Sequence, residues 1–252
     1  MQFTDLPFDC LIEIGLQDIH VHYKLCLVFR SYYKYYSVRR QHIQTHFTVI
    51  LAAANCIQYC INGVEHREDG PARIYIGGML EYYINGKLHR DDGPAWICAD
   101  GTCMYYKNGK KHRDDGPAWI GADGSHEYYK GGMMHRDNGP SRLYLDYEYA
   151  YFKNDVIHRD DGPAMIYPDG AHLYYQNGKL HRDDGPAHIS TNGFHEYYRH
   201  GKLHRDDGPA KIYPDGSYSY FKNGELHRDD GPAEIYLDGK HRYYINGIEQ
   251  IK

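Results

Sequence analysis

From residue 55 onward, short runs of strand-forming residues alternate with fixed polar punctuation, and the pattern returns every 23 residues. Each unit is counted here from its His-Arg pair, which falls at His66, His89, His112, His135, His158, His181, His204 and His227. Position 7 is Ala (once Ser141), position 9 is Ile (once Leu143), position 17 is always Tyr and position 18 is Tyr or Phe. Positions 12–13 are mostly Asp-Gly and positions 20–21 mostly Asn-Gly, dipeptides that tolerate the positive φ of hairpin turns. Pro at position 6 would remove a ladder hydrogen bond in mid-strand, so it marks a corner or a strand start. Each unit is therefore expected to form one short hairpin, with successive units paired edge to edge.

The fold class that follows is mainly β: an elongated, open, antiparallel β-meander of eight to nine hairpin repeats. Two strands per unit at ~4.8 Å give ~10 Å of advance per unit. Alternation sets positions 7, 9, 15 and 17 back to back with 8, 10, 16 and 18. The near-invariant set should be the packed face, and because one unit cannot bury it alone, neighbours must supply the stability. A ninth half-unit ends with Gln250 where the next His is due. In the unit starting at His135, Tyr147 and Asp155 replace the two turn glycines, so a bend or bulge is expected near residues 146–156.

The first 54 residues follow a different period. Leu11, Ile14, Ile19, Leu25, Val28, Phe29 and Tyr32 have helix-like spacings, with Pro7 suited to a first turn and Asp18 to a cap. Residues 1–47 thus read as a small helical module, 48–54 as a connector and 55–252 as the repeat array. A helical piece at the end of an array can simply cap its open sheet.

Composition narrows the function. Tyr occurs 28 times against seven Phe and two Trp, which suits a sheet paved with rings better than a thick aliphatic core. The formal charge of −5, with arginines interleaved among aspartates, argues against nucleic acid as a partner. Six cysteines without a CxxC pair point to reduced thiols of an intracellular protein rather than to zinc or disulfides. No secretory signal is expected at residues 1–9, and the longest apolar run, 49–54, is too short to span a bilayer. Membrane association is not expected.

Two resemblances sharpen this reading. Leu6-Pro7, Leu11, Ile14 and the run Leu25-Cys26-Leu27-Val28-Phe29-Arg30-Ser31-Tyr32 resemble an F-box, although the middle is a few residues short and its middle helix starts at Asp18-Ile19. The resemblance implies a three-helix hook that binds a Skp1-type ubiquitin-ligase adaptor through Leu6, Pro7, Leu11, Ile14, Leu25 and Val28. Tyr82-Tyr83, Asn85-Gly86, His89, Gly93 and Asp100-Gly101 resemble the MORN-type repeat in order, with His-Gly-x-Gly replaced by the longer His-Arg-Asp-Asp-Gly-Pro. An F-box-like start joined to such an array looks like the expanded families of large DNA viruses of amoebae. That implies a cytoplasmic protein, in the host cytoplasm if viral, acting as an adaptor or scaffold.

Catalysis and metal binding both fit poorly. His-Arg-Asp resembles a kinase catalytic loop, yet it recurs in unit after unit and lacks a glycine-rich loop with a strand Lys. Equivalent histidines of adjacent units would lie ~10 Å apart, too far to share a zinc. Within a unit, His and two Asp leave calcium open, though their spacing fits no known calcium loop. No catalytic residue, metal or cofactor is assigned. His89, Arg90, Asp91, His112, Arg113 and Asp114 are instead expected to form a structural ladder, each Arg reaching an Asp of the neighbouring unit and so fixing register.

Variation among copies marks where recognition could reside. Positions 8 and 16 differ from unit to unit and lie away from the invariant set. Trp96 and Trp119, with Met104, Tyr106 and Tyr129, are expected to form an aromatic patch for a protein partner. The leading expectation is a non-enzymatic adaptor whose repeat face presents a partner to the ubiquitin machinery. The alternative is a structural or oligomerising scaffold, for instance a virion or assembly component, pairing edge to edge through the last strand at 243–247.

Overall fold

The computed structural model describes residues 48–52, 56–146 and 148–251. The helical module expected at 1–47, with Leu6, Pro7, Leu11, Ile14, Leu25 and Val28, lies outside these residues. So does Tyr147. Among the described residues every regular element is a β-strand, and all pairings are antiparallel. The chain divides into two compact units, Met1–Lys110 and Lys111–Lys252.

In the first unit, Thr48–Ala52 pairs with Cys56–Ile61, so the stretch read as a connector contributes a strand. Cys56–Ile61 then pairs with Arg73–Tyr75, which pairs with Leu80–Glu81. Leu80–Glu81 pairs in turn with Trp96–Ile97, and Trp96–Ile97 with Cys103–Met104. The second unit is the same meander with more turns, from Trp119–Ile120 through His126–Glu127 to the pair Glu234–Ile235 and His241–Ile245. Throughout, position 8 opposes position 16 and position 9 opposes position 15, as alternation requires.

Each repeat yields two hairpins rather than the single one expected. Positions 8–9 and 15–16 form the meander, while positions 18–19 and 22–23 close a separate small hairpin, as in Tyr83–Ile84 with Lys87–Leu88 or Tyr175–Gln176 with Lys179–Leu180. The strand breaks at Tyr of position 17 because both of its backbone groups turn to the next corner. Tyr174 N–H donates to Ala187 O (2.7 Å), and Tyr174 O accepts from His181 N–H (3.0 Å). Tyr82 does the same with Ala95 and His89 (2.7 and 3.0 Å). A residue whose N–H and C=O are both bonded leaves no orphan polar group at the bend.

The two loop types differ. In the small hairpins both turn residues have positive φ, as at Asn85 and Gly86 (50° and 72°), the geometry of a primed turn. In the meander only the glycine does. Gly101 has φ 93°, and Asp100 Oδ1 accepts the Thr102 N–H at 2.8 Å.

The bend expected at 146–156 is absent from the pairing. Arg142↔Ala150, Leu143↔Tyr149, Tyr149↔Ile166 and Ala150↔Met165 keep the common register. Asp155 itself adopts φ 65° beside Asn154 at 52°, and its N–H reaches Met134 O as a turn glycine would. Its carboxylate accepts the Met134 N–H, which offsets the cost of a left-handed non-glycine residue.

The core is thin and made of small groups. Ala95, Ala118, Ala164, Ala187, Ala210, Ala233 and Ser141, all at position 7, are completely buried. Most of the isoleucines and tyrosines of the invariant set are only half-buried. The Tyr rings of position 17 are instead covered by arginine, with guanidinium carbons about 4 Å from the ring centroids at Tyr82, Tyr151, Tyr174, Tyr197 and Tyr220.

Candidate functional site

The corner His-Arg-Asp-Asp-Gly-Pro builds one repeated geometry. His89 Nδ1 accepts the backbone N–H of Asn108 at 3.0 Å, and His158 and His181 do the same for Asn177 and His200. A neutral ring that accepts at Nδ1 carries its proton on Nε2. Nε2 faces the aspartate two residues on, at 3.4 Å for His89–Asp91 and 3.2 Å for His112–Asp114.

Arg at position 2 lies over the tyrosine of the preceding repeat but does not pair with an aspartate there, contrary to the expected ladder. Arg90 Nε donates to Asp92 Oδ1 within its own corner at 2.7 Å, and Arg113 to Asp115 at 2.9 Å. The reason is local. The corner turns so tightly that a Cβ on Gly93 would lie 3.0 Å from the Arg90 guanidinium carbon, which holds the head group inside the loop. Charge links between repeats come from position 19, where Arg199 meets Asp206 at 3.0 Å and Lys130 meets Asp137 at 3.6 Å, and from the row of positions 8 and 16.

The hydrogen bond from arginine holds Asp69, Asp92, Asp115, Asp161, Asp184, Asp207 and Asp230 below the usual carboxylate range. A carboxyl with a depressed folded pKa adds stability above its unfolded pKa and loses it as pH falls through the folded value. Acidification from neutral pH is therefore expected to lower the melting temperature progressively, starting in the ordinary carboxylate range and continuing below it. A melting temperature that stays level to about pH 3 would count against these pairs.

The row of positions 8 and 16 is more enclosed than a free recognition surface. Glu81, Glu127 and Glu196 are buried there. Glu127 accepts from Arg142 Nε (3.2 Å), Tyr129 Oη (2.8 Å) and Tyr144 Oη (3.1 Å). Burial pushes the Glu196 carboxyl up, but Lys211 at 2.9 Å and His188 at 3.1 Å outweigh it and hold it below its ordinary value. Glu65 and Arg73 are in close contact, and Arg73 also faces Glu81. The rings of position 18 roof this row. Burial, reinforced by the glutamate beside each, pushes the Tyr83 and Tyr198 hydroxyls up to about 12.

The expected aromatic patch divides between the two units. In the first, half-buried Trp96 stands opposite Met104, whose sulfur accepts the Tyr106 hydroxyl at 3.5 Å. In the second, half-buried Trp119 stands opposite Glu127, to which Tyr129 donates. Cys56, Cys60 and Cys98 are free thiols. Among the described residues no three His, Cys, Asp or Glu side chains converge on a metal position, and no helix is long and apolar enough to cross a membrane.

One corner departs from the rest. Asn138 stands where the others have the arginine-paired aspartate, and Gly139 has φ 104° while its counterparts have ordinary φ. Ser141 Oγ donates to Phe152 O at 2.9 Å, a carbonyl whose equivalents accept the arginine backbone N–H. The sequence signal was a single Asn at position 4 of one copy. Among known proteins, no family model and no curated protein matches this chain.

Proposed function

We propose that the chain is a non-enzymatic protein-interaction module, an F-box-like adaptor whose MORN-like repeat array carries the partner. The observation that carries the non-enzymatic part is the uniformity of the corners. Every corner histidine has its Nδ1 lone pair engaged by a backbone amide, so none can accept a substrate proton there without giving up that bond. Eight copies of one arrangement form a framework. What differs between copies is the side chain at positions 8, 16 and 19, and that variation supports the reading of a recognition surface.

The adaptor half rests on the F-box-like residues Leu6, Pro7, Leu11, Ile14, Leu25 and Val28, and the implied setting is the cytoplasm, the host's if the protein is viral. Pull-down with a Skp1-type adaptor tests it. Binding is expected at micromolar concentration, and Leu11→Asp with Ile14→Asp should abolish it. Absence of binding, or binding that survives both changes, removes the adaptor half.

A scaffold is the second reading, favoured by the internal pairing of the position 8 and 16 row, which leaves fewer open groups for a partner. It requires self-association, which sedimentation across a concentration series would reveal.

A further inference from the structure

The corner at residues 135–141 breaks the charge pairing of the array in one place. In each of the seven other corners arginine Nε donates to a carboxylate two residues on, at 2.7–2.9 Å. Arg136 has Asn138 there, an amide that carries no charge, and no hydrogen bond joins the two side chains. Arg136 keeps the other contacts of its type. Nη1 donates to Pro140 O at 3.1 Å, and the guanidinium lies 3.9 Å from the Tyr128 ring centroid. The head group is therefore held in the orientation its sisters use to bind a carboxylate, but without one.

The surroundings form a groove. Arg113, Asp114, Asp115, Lys130, Arg136 and Asp137 are among the side chains lining an open space of about 370 Å³ within the second unit. The carboxylates there are already engaged: Asp114 with His112 (3.2 Å), Asp115 with Arg113 (2.9 Å), and Asp137 with His135 (3.0 Å) and Lys130 (3.6 Å). Arg136 is the guanidinium left over. Arg113 and Lys130 already face Asp115 and Asp137, so the one positive charge of Arg136 suits a single negative charge better than a dianion such as phosphate.

We propose that this groove binds a carboxylate carried by a partner, an acidic side chain or a chain terminus, seated where the other corners place their own aspartate. A planar carboxylate matches the donors of a stacked guanidinium, and the array itself supplies seven examples of the contact. The inference rests on reading the array as a binding module but not on the adaptor half.

The test uses the full chain labelled with ¹⁵N, following arginine Nε–H resonances while sodium acetate replaces sodium chloride at constant ionic strength. The Arg136 signal, identified by its loss in Arg136→Gln, is expected to move saturably toward the seven paired arginines. Asn138→Asp should place the signal there at the outset and weaken its response to acetate by on the order of tenfold. No acetate-dependent movement of Arg136, or an equal response in Asn138→Asp, overturns the proposal. Such a failure leaves the pull-down result untouched, so the two readings fail separately.

Discussion

Glu127→Ala is expected to destabilise the second unit by about 3 kcal/mol, the largest effect of any single side chain in the position 8 and 16 row. The residue is 8% exposed and its carboxylate accepts three hydrogen bonds, from Arg142, Tyr129 and Tyr144. Removing it leaves a half-buried guanidinium and two hydroxyls without their acceptor, and the enlarged gap adds a packing loss. The figure sits at the low end for a broken buried pair because the Arg142 side chain is 28% exposed and water can reach it. Glu127→Gln keeps the acceptor and should lose about half as much. A double-mutant cycle with Arg142→Ala is the decisive measurement, read as urea unfolding. The double variant should be less unstable than the sum of the singles, because the second change removes the stranded charge. Strict additivity would mean that the two side chains contribute independently.

Ala187→Leu is expected to cost about 2 to 3 kcal/mol by overpacking. Ala187 is completely buried, and the space beyond its Cβ can be judged from its one hydroxyl-bearing counterpart. Ser141 Oγ already lies 2.9 and 3.0 Å from the backbone O and N of Phe152, so a single extra atom fills the site. A leucine must displace the bend at positions 17–18 of its own repeat, Tyr197–Tyr198, which includes the Arg182 N–H to Tyr198 O and Tyr197 N–H to Ala210 O bonds. Faster hydrogen exchange at the amides of Arg182 and Tyr197, beyond that of distant repeats, would locate the damage. Ala187→Ser should be mild by comparison, since Ser141 shows that a hydroxyl finds partners at this position. Exchange rates unchanged by leucine would show that the bend yields easily.

The position-17 tyrosine illustrates how far a linear reading reaches. Its invariance marked it as a framework residue, and it is one. Its role is to let one strand serve two ladders, with Ala of the following corner as acceptor and His as donor, an arrangement between residues far from its own hairpin partner. The corner arginines show the opposite limit. Charge alternation along Arg-Asp-Asp suggested bonds between units, but a turn closed by glycine brings position 4 back over position 2, and a two-residue separation wins over a 23-residue one. At Asp155, substitution of a turn glycine pointed to a bulge. The side chain's own hydrogen bond to Met134 N–H holds the left-handed conformation instead.

The period, the two turn types, the alternation of faces and the small residue at position 7 were all determined by the sequence itself, because each depends on neighbours within a few positions and recurs in every copy. Only the tertiary structure decided where each hydrogen bond closes: His to an amide 19 residues away, buried Glu127 to an arginine 15 residues away, and Arg136 to no carboxylate at all. The first two of these depend on how the chain folds back on itself, bringing together residues that the sequence leaves 15 to 19 positions apart.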